Sequence, residues 1–514
     1  MKQIDSFTDL TIEDLEAIIL QNRNVEISKE SLTHVEDSYN FLVEFAKDKI
    51  IYGVNTGLGP MAQFKVQDDQ QVNMQYNLIR SHAAGAGEKL DDVSVKAAML
   101  VRLCAISKGF SGIHPSTIFL LRDMVNKGVF SFIPKHGGVG ASGDLVQLSH
   151  MALTLIGEGQ VSYKGEVRKT AEVFKEVGLE PIKVKIREGL SLINGTSVMT
   201  GIGVVNVIKS KQLLGWSLCA SAMMNEIVAA FSDYFSKELN EVKKHKGQMT
   251  IANEMTHILS TSQLISRRED HFYKESGGKE VVEFDRKVQE YYSLRCVTQV
   301  LGPIHDTIHN ALEVVVSEVN SVSDNPIIDH KNKNVFHGGN FHGDYISLEM
   351  DKLKLAVTKI SMLSERQLAF LFNPKLNGLL PPFVNFGVLG LNLGMQGVQF
   401  TATSTVAENQ MLSNSMYVHS ITTNNDNQDI VSMGTNSALA TKTVIENAYE
   451  VQAIQMIALT QAIDYLNIED KLSDSTAKAY KKLRNLVPRF VEDTPKYEEI
   501  AITRDFLYNN RFEY

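Results

Sequence analysis

Gly137-Gly138-Val139-Gly140-Ala141-Ser142-Gly143-Asp144-Leu145 is the densest signal in the chain, and its reading decides the fold. Three unrelated loop templates match it in part. Gly138, Gly140 and Gly143 satisfy G-x-G-x-x-G, but a dinucleotide fingerprint needs an apolar strand directly before it, and Pro134-Lys135-His136 stand there. A phosphate-cradling loop needs Lys and then Ser or Thr after Gly143, whereas Asp144 puts a negative charge where phosphate would lie. A nucleophile elbow, G-x-S-x-G, would begin at Gly140 and then require glycine where Asp144 stands. What remains is the tripeptide Ala141-Ser142-Gly143. Such a tripeptide is usually no more than a turn, so its meaning rests on the rest of the chain.

Composition narrows that rest. The 514 residues include 43% hydrophobic and 22% charged side chains, 34 Gly and only 11 Pro, which excludes collagen, low complexity and wholesale disorder. Lys plus Arg number 51 against 60 Asp plus Glu, a formal charge of −9, and no basic block exceeds a local pair or triplet. A small-molecule role is favoured and no nucleic-acid partner is expected. Cys104, Cys219 and Cys296 are odd in number and far apart, which argues against a disulfide framework and a CxxC-type zinc site; a cytoplasmic location and no metal are expected. Asp5, Asp9, Glu13 and Asp14 occupy the region where a signal peptide would have a basic start and an apolar run. The uncharged stretches 189–208 and 376–407 are broken by Gly and Asn, and the second holds Pro381 and Pro382, so no membrane association is expected. Both read as segments buried in a core, an active site or a subunit interface.

Proline placement permits long helices, since none occurs between Pro181 and Pro303 or between Pro382 and Pro488. Met350, Leu353, Val357 and Ile360 recur at helical spacing with Asp351, Lys352 and Lys354 between them. From Leu439 to Leu466, Val444, Ile445, Ala448, Val451, Ile454, Ile457 and Ala458 cover most of a helix circumference, so that helix is expected to be enclosed, and segment 204–240 reads similarly. Residues 161–169 alternate about Lys164-Gly165 as a small hairpin. The expected architecture is mainly α: a glycine-punctuated N-terminal domain over 1–200 and a large helical bundle over 201–514.

The tripeptide and its surroundings together resemble the aromatic amino acid ammonia-lyase and aminomutase family. Ile51-Tyr52-Gly53-Val54-Asn55-Thr56-Gly57-Leu58-Gly59 is similar to its tyrosine loop, Ile193-Asn194-Gly195-Thr196 to its asparagine turn, and Tyr291-Tyr292-Ser293-Leu294-Arg295 to its arginine helix. Ser323-Asp324-Asn325-Pro326, Gly338-Gly339-Asn340-Phe341-His342 and Asn427-Gln428-Asp429 follow in the family's order. One departure is visible: many members read Asp-Leu-Xaa-Pro-Leu after the glycine loop, whereas this chain has Asp144-Leu145-Val146-Gln147-Leu148.

The resemblance implies that Ala141, Ser142 and Gly143 cyclise autocatalytically to a methylidene-imidazolone (MIO), with no external cofactor. The residue types suit that chemistry, because an amide nitrogen must reach the carbonyl carbon two residues back and Gly143 has no side chain to obstruct it. It further implies Tyr52 as general base; a free phenol near pKa 10 is protonated at neutral pH, so the role requires a site that stabilises phenolate. Arg295 would pair with the substrate carboxylate. Asn194, Gln289 and Tyr292 would donate hydrogen bonds to the ring oxygen or the carboxylate. Phe341 would wall the electrophile from water, Glu408 would lie near the amine, and Gln428 would contact substrate. Glu408 ends an uncharged stretch and is expected to be buried.

The pair Ser81-His82 matches the position at which the family selects its substrate. A polar pair there disfavours phenylalanine, since a bare ring leaves a buried imidazole unpaired, and accepts either a tyrosine hydroxyl or a histidine ring. Ser-His is usual in histidine lyases, yet the chain as a whole looks most like tyrosine ammonia-lyases of flavobacterial type. The reading taken is conversion of L-tyrosine to trans-p-coumarate and ammonia, with histidine lyase as the alternative and a tyrosine aminomutase or a catalytically silent helical scaffold behind it. A homotetramer with shared active sites is implied by the same resemblance.

Overall fold

The computed structural model describes residues 1–273, 284 and 286–513. Among them are twenty α-helices and only short β-ribbons of two or three strands, so the fold is mainly α as expected. Close contacts divide the chain into two units, one of Met1–Ile208, Ala311–Asp351 and Ser415–Lys442, the other of Lys209–Asn310, Lys352–Asn414 and Thr443–Tyr514. The linear division into 1–200 and 201–514 is thereby replaced by an interleaved one. Helices Ser197–Ile227, Val297–Val319, Asp344–Leu371 and Gly434–Leu466 each contain a unit boundary, so no linker marks those four transitions; the fifth, between Asn414 and Ser415, follows the helix Gln396–Leu412.

In the first unit, α1 (Gln71–His82) leads into the strand Ala86–Lys89, which pairs antiparallel with Pro134–His136. A short strand therefore does precede the glycine loop. It belongs to a two-stranded antiparallel ribbon, not to the parallel sheet a dinucleotide site requires. Helix α2 (Asp92–Ser107) starts where Asp91 accepts the Ser94 amide at 2.9 Å, and it is buried from Ser94 to Ser107. Helix α3 (Leu145–Leu155) follows the glycine loop, and α4 (Glu188–Ile193) ends at the Asn194-Gly195 turn that opens α5 (Ser197–Ile227). The uncharged stretch 189–208 is buried throughout. The hairpin forms as expected, with Gln160–Tyr163 against Glu166–Lys169 and both turn residues left-handed, Lys164 at φ +52° and Gly165 at φ +83°.

The helix read over 204–240 instead runs 197–227 and stops without a glycine. Ala229 turns left-handed at φ +50°, and its neighbour Ala230 donates back to the Asn225 carbonyl at 2.9 Å, closing a Schellman-type end that no residue type announced. A 3-10 turn, Ser232–Phe235, and a short helix, Lys237–Glu241, occupy the remainder.

The enclosed helix is observed: within α6 (Gly434–Leu466), Val444, Ala448, Val451 and Ile454 are each 0% exposed. The second uncharged stretch is not uniformly covered. Val388, Leu389, Leu391, Leu393 and Phe400 are all exposed in the single chain. No helix among the described residues is long and apolar enough to cross a membrane.

Candidate active site

The glycine loop is pinned from two other segments of its unit. The Gly140 carbonyl accepts from Ser432 Oγ at 2.9 Å and from the Gly343 amide at 3.2 Å, and the Val139 carbonyl accepts from the Met433 amide at 3.0 Å. Gly143 is left-handed at φ +71°, and a Cβ added to it would lie 1.9 Å from the Gly195 carbonyl oxygen. That approach is held by the Asp144 amide, which donates to the same oxygen at 2.8 Å. The Asp144 side chain is fully buried; Oδ2 accepts the first free amides of α5, Val198 at 2.8 Å and Met199 at 2.9 Å, and Oδ1 accepts from the Thr435 hydroxyl. Burial pushes this carboxyl up to about 6 despite the three hydrogen bonds, which act the other way.

The tyrosine loop approaches from a second direction. Tyr52's hydroxyl oxygen accepts the Gly59 amide at 3.0 Å. Behind it Gln75 of α1, wholly buried, donates to the Gly53 carbonyl at 3.0 Å and accepts the Leu190 amide of α4 at 3.0 Å, so one side chain locks loop, α1 and α4 together. At the end of α1, His82 Nδ1 lies 3.0 Å from the Leu78 carbonyl, which can only accept, and 3.0 Å from Ser81 Oγ. The tautomer with hydrogen on Nδ1 satisfies the carbonyl and leaves Nε2 as an acceptor. Gln428 Nε2 donates to Ser142 Oγ at 2.9 Å from a tight turn in which Asn424, Asn425 and Asp426 are all left-handed.

These groups share one cavity of about 470 Å³, lined by Tyr52, Ser81, His82, Ser142, Asn194 and Gln428 together with apolar Met61, Phe64, Leu78 and Leu145. Its volume lies within the range that accommodates a small ligand. Ala141 and Gly143 are buried and Ser142 between them is half-buried, and Asn194 Oδ1 is buried with no hydrogen-bond partner among the described residues.

The other sequence-predicted residues lie outside that lining. Gln289, Tyr292 and Arg295 line a separate cavity of about 920 Å³ in the second unit, with Arg366, Phe370 and Phe383. Arg295 sits 4.8 Å over the Tyr292 ring and donates to Gln289 Oε1, and it has no carboxylate partner among the described residues. Phe341 is half-buried and borders neither cavity. Glu408 is exposed, contrary to expectation: in the helix Gln396–Leu412 the buried face is Val398, Ala402, Val406 and Asn409, and Glu408 falls off it, accepting from Asn447 Nδ2 at 2.8 Å.

Sequence reasoning missed Gln75, Asn424 and Arg102, and it quoted Asn427 only within a motif, with no role at the site. Gln75 left a faint signal, a polar residue on the buried i, i+3, i+4 face formed with Leu78 and Ile79. Asn424 and Asn427 line the cavity through a turn that only tertiary packing brings there.

Known proteins resemble the chain over nearly its whole length. A family model described as aromatic amino acid lyase matches residues 10–485. A tyrosine 2,3-aminomutase of Chondromyces crocatus is 38% identical over 510 residues, covering 98% of this chain and 96% of that protein. A histidine ammonia-lyase of Macrococcus caseolyticus is 35% identical, covering 98% of both. The solved structure of a tyrosine aminomutase from Streptomyces globisporus superposes with a TM-score of 0.95 at 34% identity, covering 99% of this chain and 96% of that one.

Proposed function

The chain belongs to the aromatic amino acid lyase family, and from that premise we propose that it eliminates ammonia from an aromatic amino acid, L-tyrosine giving trans-p-coumarate. The observation that carries the reading is the joint lining of one cavity by Tyr52, Ser142, Asn194 and the polar pair Ser81-His82.

Residues 141–143 fit an internal MIO. Gly143 has no room for a Cβ against Gly195, Ala141 is small and buried, and Ser142 alone of the three reaches the cavity. When formed, the ring supplies an electrophilic methylene that no unmodified side chain offers. The remaining chemistry falls to ordinary side chains. Tyr52 takes the weakly acidic β-proton at its phenolic oxygen, to which the Gly59 amide donates at 3.0 Å. Asn194, which lines the cavity, and Gln428 donate through their side-chain NH2 groups where negative charge develops. His82 Nε2 accepts from the substrate's phenolic hydroxyl, which favours tyrosine over phenylalanine.

Arg295, a cation without a carboxylate partner among the described residues, binds the substrate carboxylate, with Tyr292 and Gln289 beside it. In this reading they reach the cavity from another copy in a homotetramer, as do the wall residue Phe341 and the amine-side acid Glu408. Tyr292 at 72% exposure and the uncovered side chains of 388–400 are consistent with faces that a neighbour covers. The location proposed is cytoplasmic.

The test is to incubate the purified protein separately with tyrosine, histidine and phenylalanine and follow each unsaturated acid by ultraviolet absorbance. Preferential p-coumarate is expected; urocanate formed faster would assign the chain to histidine. A relative named a tyrosine aminomutase keeps a second reading in view, and chromatography decides it, because accumulation of β-tyrosine instead of p-coumarate identifies a mutase.

A further inference from the structure

Arg102 stands in the middle of α2 at 1% exposure, within a helix buried on all sides. A guanidinium in such a place costs several kcal/mol unless it is paired. It makes no ion pair among the described residues. Asp324, whose charge it feels, is held at 3.1 Å by Arg187. Among the described residues Arg102 Nε and Nη2 meet no acceptor, and its single hydrogen bond there runs from Nη1 to the carbonyl oxygen of Asn194 at 2.9 Å.

A charge kept at this cost and spent on one backbone carbonyl marks that carbonyl as the thing to be held. The turn it belongs to is fixed at three successive residues. Asn194 O meets Arg102, Gly195 O accepts the Asp144 amide at 2.8 Å, and the Thr196 amide donates to Ser323 Oγ at 3.3 Å. The guanidinium packs on the turn itself, since a Cβ on Gly195 would lie 2.7 Å from Arg102 Nη1. With its peptide planes fixed, Asn194 has little freedom except to present its side chain to the cavity, and Gly195 stays as the wall behind Gly143.

We infer that Arg102 is a positioning residue of this site: by anchoring the Asn194-Gly195 peptide it sets the surface against which residues 141–143 cyclise and aims the Asn194 amide at the reacting atoms. The inference rests on the MIO reading above. In the step concerned, the Gly143 nitrogen bonds to the Ala141 carbonyl carbon, and that carbonyl oxygen leaves as water with the Gly143 and Ser142 amide hydrogens. Ser142 then loses its Cα hydrogen and its hydroxyl as a second water.

Arg102→Met, which keeps bulk without charge or donors, and Arg102→Lys are compared with the wild-type chain by intact mass, by kcat and KM on tyrosine, and by circular dichroism melting. In a folded Met variant, either incomplete loss of the two waters or a kcat about 10²-fold lower at nearly constant KM supports the inference, with Lys intermediate. Complete loss of both waters with kcat within about twofold of wild type overturns it, as does a change confined to KM. Should the Met variant fail to fold, the Lys variant decides: a kcat about tenfold lower at constant KM is expected, and wild-type behaviour overturns the inference. A wild-type chain that retains both waters removes the parent reading itself, which separates the two failures.

Discussion

Replacing Asp144 with asparagine isolates the energetic consequence of seating a carboxylate directly after Ala141-Ser142-Gly143. The side chain is 0% exposed, and burial raises its carboxyl from 3.8 to about 6. The native state therefore holds its proton at pH values where the unfolded chain has already lost it, so stability falls as pH rises through the window from about 4 to about 6. With each pH unit worth about 1.36 kcal/mol, the full effect is about 3 kcal/mol, present below pH 4 and lost above pH 6. Asparagine preserves the acceptor for the Val198 and Met199 amides and can donate to the Thr435 hydroxyl, but it does not titrate. An unfolding entropy of about 2.1 cal/mol/K per residue over 514 residues converts 3 kcal/mol into about 3 °C of Tm. Differential scanning calorimetry of both proteins at pH 4, 5, 6 and 7 and one scan rate measures this as a difference of differences, in which any constant offset cancels. The wild type should gain about 3 °C on the Asp144→Asn variant between pH 7 and pH 4. A flat difference would show that burial does not penalise the charge. A gain in the opposite direction would show that the α5 amides stabilise the carboxylate beyond its desolvation.

Gly143→Ala forces a left-handed alanine, about 1–2 kcal/mol, and must break the buried bond between the Asp144 amide and Gly195, about 1–3 kcal/mol. Denaturant titration should register a loss of about 2–5 kcal/mol, and a change under 1 kcal/mol would refute the close-approach argument. Ser142→Ala, which has no side-chain hydroxyl to leave as the second water, should keep the wild-type melting profile and lose nearly all turnover; full activity contradicts the MIO reading. Arg295→Met should lower kcat/KM for tyrosine about 10- to 10²-fold through loss of a charge-assisted pair, and unchanged kinetics would dismiss Arg295 as the carboxylate anchor. His82→Leu should shift the tyrosine-to-phenylalanine ratio of kcat/KM toward phenylalanine by about 10-fold or more, and a ratio that stays put would return the choice of substrate to other residues.

Residue types in contiguous motifs are legible in the sequence. Tyr52, Ser142 and Asn194 stand in short segments whose local turns need glycine beside them, and the cavity has all three in its lining. The enclosed helix 439–466 is likewise visible, because periodicity is a local property of a chain. The exposure of Glu408 is not, since an uncharged run preceding a carboxylate says nothing about which side of a helix faces protein.

Sequence alone thus determined the mainly helical fold and the tripeptide on which the proposed chemistry turns, for these depend on neighbours a few residues away. Tertiary structure decided what no segment could carry: the interleaving of the two units, the lock that Gln75 makes between loop and helices, the burial of Asp144, and the single bond from Arg102 to the Asn194 carbonyl across 92 positions of sequence. Each of these is set by desolvation and by hydrogen-bond partners distant along the chain, quantities that exist only once the backbone has closed around them.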